Sequence, residues 1–99
     1  MEERGGAPLA EMDKPDEYYV ERLIGRIRLL IATSEELPIE TKLETQPMLK
    51  ALEATLGVPP DEQDQERARA QYQFLQNHLE EDANIAALLG ALRNFVPYL

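Results

Sequence analysis

One histidine and several groups of carboxylates are the residues of this chain whose types and spacing could do chemistry. His78 is the only histidine, and Glu81 and Asp82 follow it closely. A helix would place His78 and Glu81 on adjacent positions of one face, where a histidine and a carboxylate can serve as a general base or as metal ligands. Neither a Glu-x-x-His nor a His-Glu-x-x-His motif completes such a site. We therefore expect a surface histidine, and keep an enzyme or metal protein that uses His78 and its neighbouring carboxylates as an alternative.

Other motifs of enzyme and metal sites are missing from the sequence. Glu35 with Glu36, or Asp61 with Asp64, could hold a hard cation, but the spaced acids and central glycine of a calcium loop are absent. Ser34 is the only serine, and neither a nucleophile elbow nor a glycine-rich phosphate loop is present. The lack of cysteine excludes thiolate zinc sites, iron–sulfur clusters and cysteine nucleophiles. The sequence predicts no enzyme, no cofactor and no bound metal.

The charge of the chain limits the class of partner. The formal net charge at pH 7 is −9, from 19 acidic and 10 basic residues. Because nucleic acids are bound through clustered lysine and arginine, direct nucleic-acid binding is disfavoured. No apolar run approaches the roughly 20 residues of a membrane span, and the first residues do not resemble a signal peptide. We expect a cytoplasmic protein, with a nuclear location left open, that has no membrane partner and no evident small-molecule substrate.

The stretch 18–33 organises the predicted fold, because it is strongly apolar and regular at helical spacing. It predicts a helix that begins between Asp13 and Asp16 and ends near Thr33. Gly25 falls inside this helix, where either a close crossing of another helix explains it or it is merely tolerated. The inward stripe consists of Val20, Leu23, Ile24, Ile27, Leu30 and Ile31.

Two prolines divide the region that follows. A proline inside a helix removes a hydrogen bond and clashes with the preceding turn, so Pro38 and Pro47 argue against one long helix here. A short helical turn is predicted from Pro38 to about Glu44. Its inward residues would be Leu37, Ile39 and Leu43.

A second helix is predicted from about Gln46 to Leu56. Thr45 or Gln46 would be its N-cap, and Pro47 would lie in its first turn. Gly57 is placed to end it in a left-handed C-cap conformation. Its inward residues would be Met48, Leu49, Leu52 and Leu56.

Two further helices complete the predicted bundle. One covers about residues 61–81, and the last covers about residues 83–96 with Asp82 or Asn84 as its N-cap. The inward positions are Ala68, Tyr72, Leu75 and Leu79 in the first of these helices and Ile85, Leu88, Leu89, Leu92 and Phe95 in the second.

The predicted fold is all-α: a small bundle of four helices plus one short helical turn, mainly antiparallel. Residues 1–14 carry no periodic apolar set and are expected to form a flexible N-terminal tail. Residues 15–99 form the single helical domain. The first and last helices are the most apolar and should form its centre.

Five side chains at the margins of the apolar stripes are candidates for binding a partner. Phe74 either packs against another helix or anchors a partner, and Tyr98 either folds back or protrudes with the C-terminus. Tyr18 could stack on Arg22, one turn away. The arginines of the first helix either pair with acids of neighbouring helices or engage an acidic peptide. The five candidates are Tyr18, Arg22, Arg26, Phe74 and Tyr98.

The sequence thus favours a non-catalytic protein–protein interaction domain, such as an adaptor, a regulatory factor or a small subunit of a complex. Such a domain would bind a protein segment through a helical groove or an aromatic patch. The alternative is an assembly-dependent homo-oligomer or structural subunit that uses the first or last helix as its interface. The helical periodicity is compatible with both functions, because an apolar stripe that faces the core and one that faces another chain have the same spacing in the sequence.

Overall fold

The computed structural model describes residues 15–99 and folds them as four α-helices and one 3-10 turn. Within this range there is no strand, so the predicted all-α bundle is confirmed. None of its helices is long and apolar enough to cross a lipid bilayer. The predicted tail, residues 1–14, lies outside the described residues. The elements are α1 (Asp16–Thr33), α2 (Ile39–Leu56), the 3-10 turn (Pro60–Glu62), α3 (Gln65–Leu79) and α4 (Ala83–Leu92).

The four helices form a closed ring in which each packs on two others. α1 and α3 both contact α2 and α4, and the contact between α2 and α3 is the most extensive. The core is therefore shared by the whole ring, whereas the sequence predicted a centre made of the first and last helices. Between α1 and α2, Lys42 Nζ donates to the carbonyl of Ala32 (3.3 Å) and Gln46 Nε2 to that of Arg28 (3.2 Å). Since residue numbers rise along one helix as they fall along the other, the two helices are antiparallel.

α1 and α4 are antiparallel as well. Just after the end of α1, Ser34 Oγ donates to Asp82 Oδ2 at the start of α4 (2.8 Å). At the other end, Tyr19 near the start of α1 stacks on Phe95 beyond the end of α4, with ring centroids 5.3 Å apart. One end of the bundle therefore gathers the start of α1, the end of α2, the start of α3 and the end of α4. We call this the cleft end.

One cluster of apolar side chains fills the ring. Burying a leucine or isoleucine side chain contributes roughly 1.5–3 kcal/mol, so this cluster is the main stabilising element. The stripe predicted for the first helix is confirmed, although Leu23 and Leu30 are only partly buried. A Cβ on Gly25 would meet nothing within 4 Å among the described residues, so no close helix crossing explains this glycine. The fully buried large side chains are Ile24, Ile27 and Ile31 in α1, Thr45, Leu49 and Leu52 in α2, Tyr72, Leu75 and Leu79 in α3, and Ile85, Leu89 and Leu92 in α4.

α2 is a continuous helix of 18 residues that contains Pro47, where a break was predicted. Pro47 has no N–H to give to the carbonyl of Leu43, a defect that costs about 3 kcal/mol in a helix interior. Contacts on the N-terminal side of the proline offset this cost. Leu37 and Thr45 are buried there, and two side chains of this half bond to α1. The prediction of a separate turn over residues 38–44 is therefore wrong.

The continuous helix also changes which side chains of α2 face the core. Counting back from Leu49 by one helical turn brings Thr45 to the core face and leaves Ile39 and Leu43 on the opposite face. Thr45 is fully buried, and its Oγ1 donates to the carbonyl of Thr41 (2.7 Å) instead of capping a helix. Ile39 and Leu43 are 65% and 69% exposed, so their predicted inward orientation is wrong.

The segment between α2 and α3 differs from the prediction in two ways. Gly57 has φ of −81°, which is not left-handed, and its N–H donates to the carbonyl of Ala54 (3.2 Å). α3 begins at Gln65 because the side chain of Asp64 accepts a hydrogen bond from the backbone N–H of Arg67 (3.1 Å) and caps the helix there. The short helical turn of the bundle is therefore the 3-10 turn before α3.

α4 ends four residues earlier than predicted, at Leu92. Its N-cap is Asp82, as predicted, with the side chain accepting hydrogen bonds from two backbone N–H groups. After Leu92 the hydrogen bonding changes to the 3-10 type, because the N–H groups of Arg93 and Asn94 bond to carbonyls three residues earlier. This change turns the C-terminal residues back onto the bundle, where Val96 and Leu99 are buried.

Candidate functional site

A cavity with a volume of about 560 Å³ lies at the cleft end of the bundle. We call it the cleft. Its walls come from the first turns of α1, the end of α2, the 3-10 turn and the chain beyond α4. Its apolar lining consists of Val20, Ile24, Leu56, Pro60, Phe95, Val96, Pro97 and Tyr98.

The charged side chains that line the cleft are all acidic. They are Asp16, Glu17 and Glu21 from α1 and Glu53 from α2, and no Lys, Arg or His is found among the described lining residues. Glu53 Oε1 bonds to Arg28 Nη2 at 2.6 Å. The other three carboxylates form no ion pair with a cation of residues 15–99. The cleft therefore presents negative charge beside an apolar floor.

Helix dipoles do not alter the sign of this charge. Two helices begin at the cleft end and two end there, so their partial positive and negative charges oppose one another. The N-terminus of α3 is in addition capped by Asp64. The field in the cleft is thus set by the carboxylate groups, which favour a cationic ligand.

The side-chain amide of Gln63 forms hydrogen bonds with two walls of the cleft. Its Nε2 donates to the carbonyls of Leu56 (3.1 Å), the last residue of α2, and of Val58 (3.0 Å), in the loop that follows. Its Oε1 accepts a 2.5 Å hydrogen bond from the hydroxyl of Tyr98. Burial raises the pKa of the Tyr98 hydroxyl above its ordinary value near 10, an effect that the charge of Arg69 opposes. The amide thereby fixes the segment after α2 against the C-terminal turn.

The C-terminal turn is held by several further contacts. Arg93 Nη2 donates to the backbone oxygen of Leu99 (3.2 Å), and its guanidinium lies 5.3 Å from the ring centroid of Tyr72. Phe95 stacks on Tyr19, as described above. Of the two predicted orientations for the C-terminus, the structure shows the one that folds back, and this turn forms one wall of the cleft.

Of the five predicted partner-binding residues, only Tyr98 lines the cleft. Tyr18 and Arg22 lie on the exposed side of α1 and contact each other, as predicted. Arg22 Nη1 donates to the Tyr18 hydroxyl (3.1 Å), and its guanidinium is 5.5 Å from that ring centroid. The ring of Tyr18 also meets that of Tyr19 edge to face at 5.1 Å.

Of the two alternatives for the arginines of the first helix, pairing with an acid of a neighbouring helix is seen for one of them among the described residues. Arg28 pairs with Glu53 of α2, as described above, whereas Arg22 bonds to a tyrosine. Arg26 is exposed and forms no ion pair with any residue of 15–99.

Phe74 and His78 form a pair on the outside of α3. Their rings stack with centroids 4.0 Å apart, and His78 Nδ1 lies 2.8 Å from the carbonyl oxygen of Phe74. Phe74 is half-buried and is not among the hydrophobic residues packed against the core. His78 is exposed, and within residues 15–99 no three His, Asp or Glu side chains are arranged to hold a metal ion.

The carboxylates of the cleft were missed by sequence reasoning for an identifiable reason. Asp16 and Glu17 complement the dipole of α1, and Glu21 is exposed and Glu53 half-buried on amphipathic helices, so each has an ordinary explanation by itself. A usable signal exists, because Glu17 and Glu21 flank the inward Val20 and are one helical turn apart.

Comparison of the chain with protein families, with characterised proteins and with solved structures found no match.

Proposed function

We propose that this chain is a non-catalytic protein-interaction domain whose cleft binds a basic, amphipathic segment of a partner protein. The observation that carries the proposal is the lining of the cleft, in which apolar side chains form the floor and every charged side chain among the described lining residues is a carboxylate. Such a floor buries apolar side chains of a ligand, and the carboxylates at its border select lysine or arginine beside them.

The volume of the cleft fits this class of ligand. At about 560 Å³ it lies in the range of about 300–1,000 Å³ that is usual for ligand sites, which is room for a few side chains of a peptide. A partner segment with apolar residues one helical turn apart, flanked by lysines or arginines, would fill it. The three carboxylates that form no ion pair with a residue of 15–99 would then meet the cations of the ligand.

Charge also argues against two other occupants. An acidic peptide would be repelled by the lining carboxylates. The segment 1–14 of this chain carries Glu2, Glu3, Glu11 and Asp13 against Arg4 and Lys14, so its side-chain charge does not complement the cleft either. The favoured ligand is therefore a cationic segment of another protein.

Three labelled synthetic peptides test this proposal by fluorescence anisotropy. The first places leucines on one face of a helix and lysines on the other. The second replaces the lysines with glutamates, and the third replaces the leucines with serines. We expect the leucine–lysine peptide to bind most tightly, since it alone offers both apolar burial and positive charge. Amide shifts in a labelled protein should concentrate on Glu21, Gln63 and Tyr98.

Paired glutamine variants locate the binding. Glu17→Gln with Glu21→Gln should weaken binding of the leucine–lysine peptide about two- to thirtyfold, because exposed ion pairs contribute about 0.2–1 kcal/mol each. Glu35→Gln with Glu36→Gln removes the same charge at the opposite end of the bundle and should change binding little. Equal effects of the two pairs, or equal binding of the lysine–serine peptide, would show unspecific attraction to an acidic protein and overturn the proposal.

A further inference from the structure

The outer side of α1 and α2 carries an apolar patch that the bundle leaves uncovered. Leu29, Ile39 and Leu43 are 61%, 65% and 69% exposed, respectively. The hydrogen bonds between the two helices set Arg28 beside Gln46 and Ala32 beside Lys42. Leu29 and Leu43 each follow one of these residues in sequence, so they lie at nearly the same level of the two antiparallel helices.

Helix geometry places these side chains opposite the core. Leu29 is two residues from both Ile27 and Ile31, which are fully buried, and two residues turn the helix by about 200°. Leu43 stands in the same relation to the fully buried Thr45. The patch therefore faces away from α3 and α4 and is separate from the cleft.

Charged side chains flank this patch, with cations at one end and carboxylates at the other. Arg22 and Arg26 precede Leu29 by seven and three residues, and Lys50 follows Leu43 by seven, so these cations share the outer face and lie toward the cleft end. Toward the opposite end lie Glu36, in the loop before α2, and Glu40, three residues before Leu43. All five charged side chains are exposed, and none forms an ion pair with a residue of 15–99.

We infer that this outer face is a self-association surface that joins two copies of the chain in an antiparallel arrangement. A two-fold axis that lies in the face, perpendicular to the helices and near Leu29, brings the apolar patches of the two copies together. The same rotation sets the basic end of each copy against the acidic end of the other. A two-fold interface requires a surface complementary to itself, and a face with an apolar centre and ends of opposite charge has this property.

A second copy suits the face better than a partner of uniform charge. A wholly basic segment would meet Arg22, Arg26 and Lys50, and a wholly acidic one would meet Glu36 and Glu40. Each chain that contains the face also supplies its complement. Because three apolar side chains make a small centre, we expect a weak dimer with a Kd on the order of 10 μM, which dissociates on dilution.

Sedimentation velocity over a wide range of protein concentration tests the inference. The mass should rise from that of the 11.3 kDa chain toward twice that value as the concentration increases, and added salt should shift the transition to higher concentration. A monomer at all concentrations, or growth beyond the dimer into larger assemblies, would overturn the inference.

Single substitutions then locate the interface. Leu29→Glu and Leu43→Glu should each raise the Kd of the dimer at least about tenfold, because they place a charge in its apolar centre. Val58→Glu changes the other exposed large hydrophobic residue, which lies in the loop after α2, and should leave the Kd unchanged. Equal effects of the three variants would contradict the assigned face. Circular dichroism verifies that each variant keeps its helices.

A charge exchange gives the sharpest test, since it does not depend on apolar side chains. Arg26→Glu places two carboxylates opposite each other where position 26 of one copy meets position 40 of the other, and Glu40→Arg places two cations there. Arg22 and Lys50 keep their charges, so each variant alone should form a weaker dimer than wild type. The two variants mixed should form a heterodimer, and the double variant should recover the homodimer, since opposite charges meet again in both cases. Dimers of either single variant as tight as wild type, or no dimer in the mixture, would show that the ends do not pair.

Discussion

The hydroxyl group of Tyr72, on α3, donates a 2.6 Å hydrogen bond to the backbone carbonyl of Leu89, on α4, inside the core. The last carbonyls of a helix lack donors from within it, and here the N–H of Arg93 bonds to Gly90 and not to Leu89. Tyr72 supplies the missing donor while its ring fills the core. Its side chain therefore both packs and completes the end of α4, which in turn positions the C-terminal wall of the cleft.

This relationship predicts a loss of stability in alkali. Burial raises the pKa of Tyr72 above its ordinary value near 10, and the charge of Arg93 opposes the shift only in part. As the pH rises past about 10, Tyr72 loses its proton in the unfolded chain before it does so in the folded one, which favours unfolding. The contribution to stability is complete below that pH and is lost as the pH rises through the folded-state pKa. Urea unfolding between pH 8 and 11 measures it.

Tyr72→Phe is the variant that isolates this group. It should lower stability by about 1–3 kcal/mol at pH 8, because the Leu89 carbonyl loses its donor, and should flatten the alkaline decline. Tyr98→Phe also removes a tyrosine whose pKa is raised by burial, so it should flatten part of the decline as well. An unchanged alkaline decline in the Tyr72→Phe variant would contradict the assignment.

Gln63 should be more important for stability than its place in a loop suggests. Its amide makes three hydrogen bonds, to the carbonyls of Leu56 and Val58 and from the Tyr98 hydroxyl. Because each of these hydrogen bonds contributes about 0.5–1.5 kcal/mol, Gln63→Ala should lower the free energy of unfolding by about 1.5–4.5 kcal/mol. Gln65→Ala, two residues on, is the matched control and should cost little. A cost for Gln63→Ala no larger than for the control would show that these bonds add nothing.

Local patterns were sufficient for most of the core, but not for the part of α2 that precedes Pro47 and not for the cleft. The helical spacing of Leu75 and Leu79 predicted their burial, because a periodic apolar stripe has to face the core in any bundle. The helix break predicted at Pro47 is absent because tertiary contacts, which a local pattern does not contain, offset the cost of the proline. Glu21 and Glu53 are far apart in the sequence and meet only because α1 and α2 run antiparallel. No local pattern contains that information.

Pro47→Ala should stabilise the protein. Alanine restores the N–H that the carbonyl of Leu43 lacks and removes the clash of the ring, a gain of about 3 kcal/mol in a helix interior. Alanine also makes the unfolded chain more flexible, which lowers the free energy of unfolding by about 0.4–1 kcal/mol. The net gain in the free energy of unfolding is therefore about 2 kcal/mol, which urea or thermal unfolding measures. Pro38→Ala, at the N-cap of α2 and outside the helix, is the control and should show no such gain. A destabilised Pro47→Ala variant would mean that the helix is adapted to its proline.

Asp82 joins two elements at the end of the bundle opposite the cleft, and both of its carboxylate oxygens are engaged. Oδ1 accepts hydrogen bonds from the N–H groups of Asn84 (3.0 Å) and Ile85 (3.3 Å), which caps α4, and Oδ2 accepts from Ser34 Oγ (2.8 Å). Losing the cap and the link to α1 together should cost Asp82→Ala about 1.5–3 kcal/mol. Ser34→Ala removes the link and also the hydrogen bond that Ser34 Oγ accepts from the N–H of Glu36 (3.1 Å), and should cost about 1–2 kcal/mol.

Asp82→Asn separates the two roles of this side chain. Asparagine caps a helix about as well as aspartate, so this variant should keep most of the stability that alanine loses. Combining Ser34→Ala with Asp82→Ala should cost less than the sum of the single variants, because both remove the same hydrogen bond. Strict additivity in this cycle, measured by urea unfolding, would mean that the 2.8 Å contact between Ser34 and Asp82 does not couple α1 to α4. Coupling of about 0.5–1.5 kcal/mol would identify it as the bond that closes the ring of helices at this end.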